Sequence, residues 1–318
     1  MTDRTRRTLI TIALVAVAAV WGATFVMVRD AVAGYPVFSF LGLRFAVATV
    51  AFVAIFPSSV RQLDGATVRA GLVAGVFLCA GYVLQTLGIA PGMTTPGRAA
   101  FITGMFVVIT PLMQALVLRR MPRWTAWVGV GAAVAGSWLL SGGGAGGGWN
   151  LGDTVVLLCA VAYSAHMIVL GSIGRDRATG PLTLVQLATV AVVCGAVGVA
   201  VEHPSAPTGG RLWLALLVTG VLASAAAFAV QTYAQKHLSP TRTALILICE
   251  PAFGGLFAWV LAGESLGPMG VAGAALIVSG MAASEVLTSV VAARDERVVL
   301  EPSLEGPPAH LIEGDGGE

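Results

Sequence analysis

The sequence predicts an all-α membrane protein of ten transmembrane helices in two inverted five-helix repeats. Three observations predict it: a composition too apolar for a water-facing surface, ten uncharged runs of bilayer length, and a register match between the two halves. Of 318 residues, 57% are apolar and 11% charged, with 40 glycines and a mean hydropathy of +0.87. An ordinary soluble domain carries about 25% charged residues. A bilayer core takes about 20 apolar residues per helix, and lipid-exposed backbone must satisfy its own hydrogen bonds, so runs without strand-like alternation are helices.

The first run, 9–28, follows a short cytoplasmic N-terminus (1–8) that carries Arg4, Arg6 and Arg7. The same pattern describes a cleaved signal peptide, and TRRTLI partly matches a twin-arginine signal. Nine further spans leave no soluble domain to export, so the run is read as the first span. Runs at 37–56, 70–90, 99–118 and 124–141 complete a first repeat over 9–141. The segment GGGAGGG, Gly142 to Gly148, lacks the Gly-Lys-Ser/Thr ending of a phosphate loop and reads as a flexible connector over 142–150. Runs at 152–171, 182–201, 212–234, 243–262 and 268–290 form a second repeat over 151–290. After Ala293 the chain turns polar, with Pro302, Pro307, Pro308 and a cluster of acids, so 291–318 is expected to be a disordered acidic cytoplasmic tail.

Short cytoplasmic loops are enriched in Lys and Arg. With the N-terminus inside, the inner side holds Arg4, Arg6, Arg7, Arg61, Arg69, Arg119, Arg120, Arg123, Arg175, Arg177, Lys236, Arg242, Arg294 and Arg297, fourteen of the 18 basic residues. Outside lie Arg29, Arg98 and Arg211, and Arg44 falls within a span. A miscounted helix would scramble this alternation, so both termini are expected in the cytosol of a cell that holds the protein in its inner or plasma membrane. Cys79, Cys159, Cys194 and Cys249 lie in apolar runs at no metal-ligand spacing and are expected to be small buried side chains.

Shifted by 144 residues, TPGRAAFI (95–102) falls on SPTRTALI (239–246), pairing Pro96 with Pro240, Arg98 with Arg242, Ala100 with Ala244 and Ile102 with Ile246. The same shift pairs Leu112 with Leu256, Gly129 with Gly273, Val134 with Val278 and Gly136 with Gly280. An odd number of spans per repeat inserts the second copy upside down. Inverted repeats give a protein two near-equivalent conformations, one open to each side, with a site near the midplane, which is the plan of secondary transporters.

The residues that carry this pattern resemble the EamA-like branch of the drug/metabolite transporter superfamily. They are WGATFVMVRDAV (21–32), GLRFAVA (42–48) and RAAFITGMFVVITPLMQALVLRR (98–120), then RTALILICEPAFGGLFAWVLAGESL (242–266) and GVAGAALIVSGM (270–281). The resemblance covers about residues 10–288. It implies a ten-helix bundle of two inverted repeats around a central cavity, moving small metabolites, often outward and without ATP, with substrates that range from amino acids to toxic compounds. The first half departs from the second: at the 144-residue offset Phe106 stands for Glu250, Val107 for Pro251 and Arg120 for Glu264. Any acidic function of this motif belongs to the second repeat.

Most acidic residues lie at loops, at span ends or in the tail, whereas Glu250 sits deep in a span, about 10 Å from its cytosolic edge. A carboxylate there is costly unless it is neutral, paired or facing water. Two readings are open: a proton-coupling or substrate group, or a protonated side chain that bonds a carbonyl freed by the next residue. That residue, Pro251, removes a helical hydrogen bond, and Gly254 and Gly255 thin the next turn, so a broken helix at the midplane is expected. Pro111 is expected to break the fourth span in the same way. Arg44 either snorkels to the outer interface, pairs with a carboxylate or holds a substrate carboxylate. Trp21, Tyr82 and Tyr163 lie mid-span, away from interfacial belts, and suit packing or the wall of an amphipathic ligand site. Gln85, Gln186 and Gln231 are read as interhelical bonds or ligand contacts, and His166 as a proton carrier or a buried neutral imidazole. Gly129, Gly131, Gly136, Gly270, Gly273 and Gly280 suit close helix contact within the bundle or at a dimer face.

The expected function is thus secondary transport, in the exporting direction, of small organic metabolites such as amino acids or amphipathic relatives, by alternating access with protons as a coupling ion. An uncoupled facilitator with Glu250 structural is the alternative. An enzyme is disfavoured because the chain holds four histidines, one of them in a span, and no catalytic dyad or cofactor motif. A channel is disfavoured by the lack of charge rings or a carbonyl filter. The expected partners are a small-molecule substrate and the lipid bilayer, with no nucleic acid, no metal and no cofactor, in a monomer or homodimer.

Overall fold

The computed structural model describes residues 3–90, 93–94, 99, 102–140, 149–262 and 267–300, and no strand occurs among them. Helix α1 (Asp3–Gly34) is followed at once by α2 (Val37–Ile55), with Pro36 before its first turn. The orphan N–H groups of that turn are met from far along the chain: Phe38 and Ser39 N–H donate to the two Glu202 carboxylate oxygens at 3.0 and 2.8 Å. A short helix α3 (Ser58–Arg61) leads into α4 (Gly65–Gly88). Asp64 caps α4, accepting from the Ala66 and Thr67 N–H groups at 2.8 Å each. The Thr67 bond foremost holds the Asp64 carboxyl below its ordinary range. The cap therefore acts above the ordinary carboxylate range and fades as pH falls through that lowered value.

Next come α5 (Phe106–Leu118) and α6 (Trp124–Leu140). An Asn150–Asp153 capping box opens α7 (Leu151–Gly171), and α8 (Thr179–Val197) ends in a π-helical turn, Gly198–Glu202. Helix α9 (Gly210–Gly220) passes through a π-helical stretch, Val221–Ala226, into α10 (Ala227–His237). Helices α11 (Pro240–Leu247) and α12 (Glu250–Ala262) are separated by a turn at Ile248 and Cys249, and α13 (Gly267–Leu300) closes the chain.

Seven helical stretches among the described residues are long and apolar enough to cross a bilayer: Thr5–Gly34, Val37–Ile55, Gly65–Gly88, Leu151–Gly171, Thr179–Glu202, Gly210–His237 and Gly267–Thr288. Ile102–Leu118 is a shorter apolar helix, α6 has 17 residues, and α11 and α12 share one apolar run in two pieces. The last helix runs past the expected end of its span: Ala292, Ala293, Arg294, Glu296 and Arg297 are good helix formers, and α13 continues to Leu300. Residues 301–318, Arg98 and the glycine run 142–148 lie outside the described residues.

The helix pairings come in matched sets. Helix α2 packs along α8 and α6 along α13; α1 lies on α11 and α12 as α7 lies on α5; α4 packs on α7 as α9 and α10 pack on α1. The four cysteines are buried free thiols, and Cys79 and Cys194 Sγ approach to 3.6 Å between α4 and α8. The expected close glycine contact is made within the chain: a Cβ on Gly136 of α6 would stand 2.6 Å from the Gly273 carbonyl oxygen of α13. Gly136→Val is therefore expected to lower the thermal midpoint in detergent, by overpacking worth about 1–3 kcal/mol. Gly131→Val, where a Cβ meets nothing within 4 Å, is the control, and equal midpoints for the two would refute this α6–α13 contact.

Candidate functional site

Helices α1, α2, α4, α5, α7, α10 and α12 surround a small cavity of about 70 Å³, lined, as small-molecule sites are, by aromatic side chains and a few convergent polar groups. Its wall holds Trp21, Arg44, Tyr82, Gln85, Tyr163, His166, Gln231 and Glu250. Sequence reasoning singled out all eight; the ninth, Gln186, lies behind the wall.

Arg44 points inward and is 3% exposed, which corrects the snorkelling reading. Its Nε donates to Ser224 Oγ at 3.0 Å and its Nη2 to Tyr82 Oη at 3.3 Å, while the guanidinium carbon stands 4.8 Å from the Tyr82 ring centre and 5.6 Å from that of Phe45. An arginine at the centre of a span costs about 2.5–3.5 kcal/mol. Hydrogen bonds from a charged donor return about 1.5–3 kcal/mol each and a desolvated cation–π contact about 2 kcal/mol, so the inward position wins. Ser224 belongs to the π-helical stretch, whose neighbouring carbonyl, Ala223, accepts from Trp21 Nε1 at 2.8 Å. The widened turn thus orients both Arg44 and Trp21, a use of π-turns common at functional sites.

Glu250 opens α12 directly after the turn at Ile248 and Cys249. Pro251 lies in the first helical turn, where its missing N–H costs nothing, and the carboxylate sits at the positive end of the helix. No hydrogen bond or ion pair links the Glu250 carboxylate to another described residue; it shares the cavity with Arg44 without pairing to it. The chain crosses tightly here, since a Cβ on Gly22 would stand 2.6 Å from Gly254 N and 2.8 Å from Glu250 O. Gly255, half-buried, is next along α12. Gly22, Pro251 and Gly254 also border a smaller cavity behind Glu250.

The expected break at Pro111 does not occur. Helix α5 runs through Pro111 to Leu118, and the chain turns at Met105 instead. Met105 is the 144-residue counterpart of Cys249, so both repeats turn at the same register whatever the position of their proline. The crossing is matched as well: Thr110 of α5 donates its hydroxyl to Ser164 Oγ of α7 at 3.1 Å, where Gly254 of α12 meets Gly22 of α1. Trp21 and Tyr163, each one residue before the crossing, both line the cavity.

The aromatic wall is continuous. Tyr82 stacks edge to face on Tyr163 at 5.8 Å and on Phe228 at 6.0 Å, Trp21 lies 5.6 Å from Phe228, and Tyr163 donates its hydroxyl to Gln85 Oε1 at 3.1 Å. Gln186 Nε2 donates to the Leu182 carbonyl at 3.1 Å, and a carbonyl can only accept. Its Oε1, 2.7 Å from His166 Nε2, must therefore be the acceptor there, so the imidazole carries its proton on Nε2. Sequence reasoning missed Thr24, Thr86, Thr103, Phe106, Met167 and Phe228. Helical spacing holds the signal: Thr24 and Val28 lie three and seven residues beyond Trp21, and Thr86 and Ile89 four and seven beyond Tyr82.

A polar, aromatic-walled cavity inside a bundle of apolar helices defines a membrane protein that handles a small molecule within the bilayer. The chain belongs to the EamA-like transporter family, whose profile matches residues 8–142 and again 150–284, and is thus a multi-pass membrane transporter of the drug/metabolite type. It is 29% identical over 265 residues to a protein of Archaeoglobus fulgidus named "Uncharacterized transporter", covering 83% of this chain and 82% of that one. It is 24% identical over 264 residues to the "Uncharacterized inner membrane transporter YedA" of Escherichia coli K12, covering 80% and 83%. A crystal structure with 19% identity covers 90% of this chain and 99% of its own at a TM-score of 0.75, a likeness of fold.

In 15N NMR of the labelled protein, His166 is expected to show the Nε2–H neutral form. Gln186→Leu should release that preference, and an unchanged spectrum in this variant would rule out the Gln186 bond as its cause.

Proposed function

We propose that this chain is a ten-span secondary transporter of two inverted repeats, with both termini cytoplasmic, that exports small zwitterionic amphiphiles, amino acids with large apolar side chains among them, against protons. The observation that carries the substrate class is a single one. Arg44 of the first repeat and Glu250 of the second face one aromatic-walled cavity with no direct bond between their side chains. A carboxylate meets Arg44, an ammonium meets Glu250, and the apolar remainder lies against Tyr82, Tyr163 and Phe228.

Three observations support the inverted-repeat reading. The family profile matches twice in tandem, the chain turns at Met105 and Cys249 in the same register, and helix pairings recur between the halves. Each crossing, Gly22 on Gly254 and Ser164 on Thr110, then serves as a pivot about which one half rocks against the other. Glu250 holds either the substrate ammonium or a proton, and that exclusion is the coupling: proton arrival expels the cation, and substrate arrival expels the proton.

The test is flux in proteoliposomes loaded with mixed amino acids and small aromatic metabolites. Wild-type efflux of zwitterions is expected to accelerate when the opposite side is made acidic, and Glu250→Gln should transport at a rate independent of the gradient. Flux that ignores the gradient in the wild type and survives Glu250→Gln would make the protein a facilitator with Glu250 structural. Arg44→Leu is expected to raise KM for carboxylate-bearing substrates about 10- to 100-fold, the equivalent of one charge-assisted hydrogen bond.

A further inference from the structure

Five buried side-chain polar atoms of the described residues have no protein partner, and four of them belong to one region: Thr183 Oγ1, Gln231 Oε1, Gln235 Oε1 and Arg177 Nε. Thr183, Gln231 and Gln235 are at most 2% exposed. These residues stand on α8, α10 and the loop between α7 and α8, which carries Arg177. The orientation of the Gln235 amide is fixed, because its Nε2 donates to the Met167 carbonyl of α7 at 2.9 Å, so the unpartnered atom is an acceptor in need of a donor.

Their placement follows from the register of two opposed helices. Gln186 of α8 donates to Thr232 Oγ1 of α10 at 3.3 Å. Thr183 lies three residues before Gln186 and Gln235 three residues after Thr232, so both stand about 4.5 Å farther toward the same end of the bundle, on the same helix faces. At that end Lys236 Nζ donates to the Arg177 carbonyl at 3.0 Å. In the other direction, Gln231 and His166 open onto the central cavity. Polar groups therefore recur along these faces from the cavity, through His166, Gln186 and Thr232, then Thr183 and Gln235, toward Arg177 and Lys236.

A buried polar atom left unpaired costs about 1–3 kcal/mol, and three such atoms in a row between cavity and loop would be a heavy burden on a bundle with an otherwise apolar interior. Ordered water relieves it, since a buried water makes about 3 hydrogen bonds to groups of this kind. We infer that Thr183, Gln231, Gln235 and Arg177 bind a chain of water molecules that joins the central cavity at His166 to the Arg177–Lys236 end of the bundle. That end is cytoplasmic under the orientation proposed above. The chain gives water and protons a route to the cavity from one side that is too narrow for substrate. The charged and titratable groups along it are Arg177 and Lys236 at the loop, His166 midway, and Arg44, Tyr82, Tyr163 and Glu250 around the cavity.

Water-edited solid-state NMR of the wild-type protein in lipid bilayers tests this directly. Magnetisation from water is expected to reach the Gln235 side-chain amide several-fold faster than the backbone amide of Phe40, a fully buried residue. Thr183→Val is expected to slow the transfer at Gln235 and leave that at Gln231, which faces the cavity, unchanged. Transfer to Gln235 as slow as to Phe40 in the wild type would overturn the inference. So would a Thr183→Val protein in which Gln235 is as wet as before. The result is separate from the coupling role of Glu250: a dry Gln235 leaves gradient-driven flux intact, and flux indifferent to Glu250→Gln leaves the water signals intact.

Discussion

An arginine and a glutamate cannot be left against hydrocarbon, and the rest of the site is organised around keeping them from it. Each charge is held by a local departure from regular helix. The π-helical stretch Val221–Ala226 offers Ser224 to Arg44 and the Ala223 carbonyl to Trp21. The turn at Ile248 and Cys249 starts a new helix whose N-terminal dipole favours the Glu250 carboxylate. A straight α9–α10 rod would leave the Ala223 carbonyl bonded within its own helix, and an unbroken α11–α12 would carry Glu250 mid-helix with no dipole end beside it. Irregular backbone at membrane depth is tolerated only where protein or a cavity surrounds it, and both irregularities place buried residues directly behind those of the cavity wall.

The two halves share what folding needs and differ in what chemistry needs. Both turn at one register, Met105 and Cys249, and both cross their partner helix through small residues just beyond it. At the next position the repeats part company: Phe106 extends the aromatic wall and Glu250 supplies a carboxylate to it. The polar string behind the cavity is likewise built from second-repeat helices alone, through His166, Gln186, Thr232 and Gln235. Under the proposed alternating access, two halves that fold alike while differing in this way would reach end states of unequal energy, because the groups released at one face have no chemical equal at the other.

Much of this was legible in the sequence, and the reason is the bilayer. A span admits so few polar residues that each one present is informative, and eight of the nine picked on that ground meet in one cavity. Gln186 was picked on the same ground yet sits behind the wall, because polarity reports burial in protein and says nothing of which side of a helix faces the ligand. Prolines misled for a related reason. Pro111 costs α5 one hydrogen bond without ending it, whereas the turn at Met105 needs no proline, so residue type was a poorer guide to the break than the repeat register. The inward position of Arg44 was hidden too, since what decides it is Ser224, 180 residues away in sequence and presented only by a π-turn that hydropathy does not register.

The two charges at the cavity differ in how the protein holds them. Arg44 is held by bonds to Ser224 and Tyr82, two groups of its own protein, whatever the cavity contains. Among the described residues the Glu250 carboxylate has no comparable hydrogen-bond partner, so its free energy would depend on what fills the cavity: water, a proton or a cationic group. A side chain whose stability changes with occupancy is the one able to bias a rocking equilibrium, since a ligand shifts a two-state balance only through its differential interaction with the two states. In the proposed exchange Arg44 is therefore the recognition group and Glu250 the switch. Because the two charges stand in different halves of the chain, the rocking proposed above would change the distance between them and with it the fit of a zwitterion held between them.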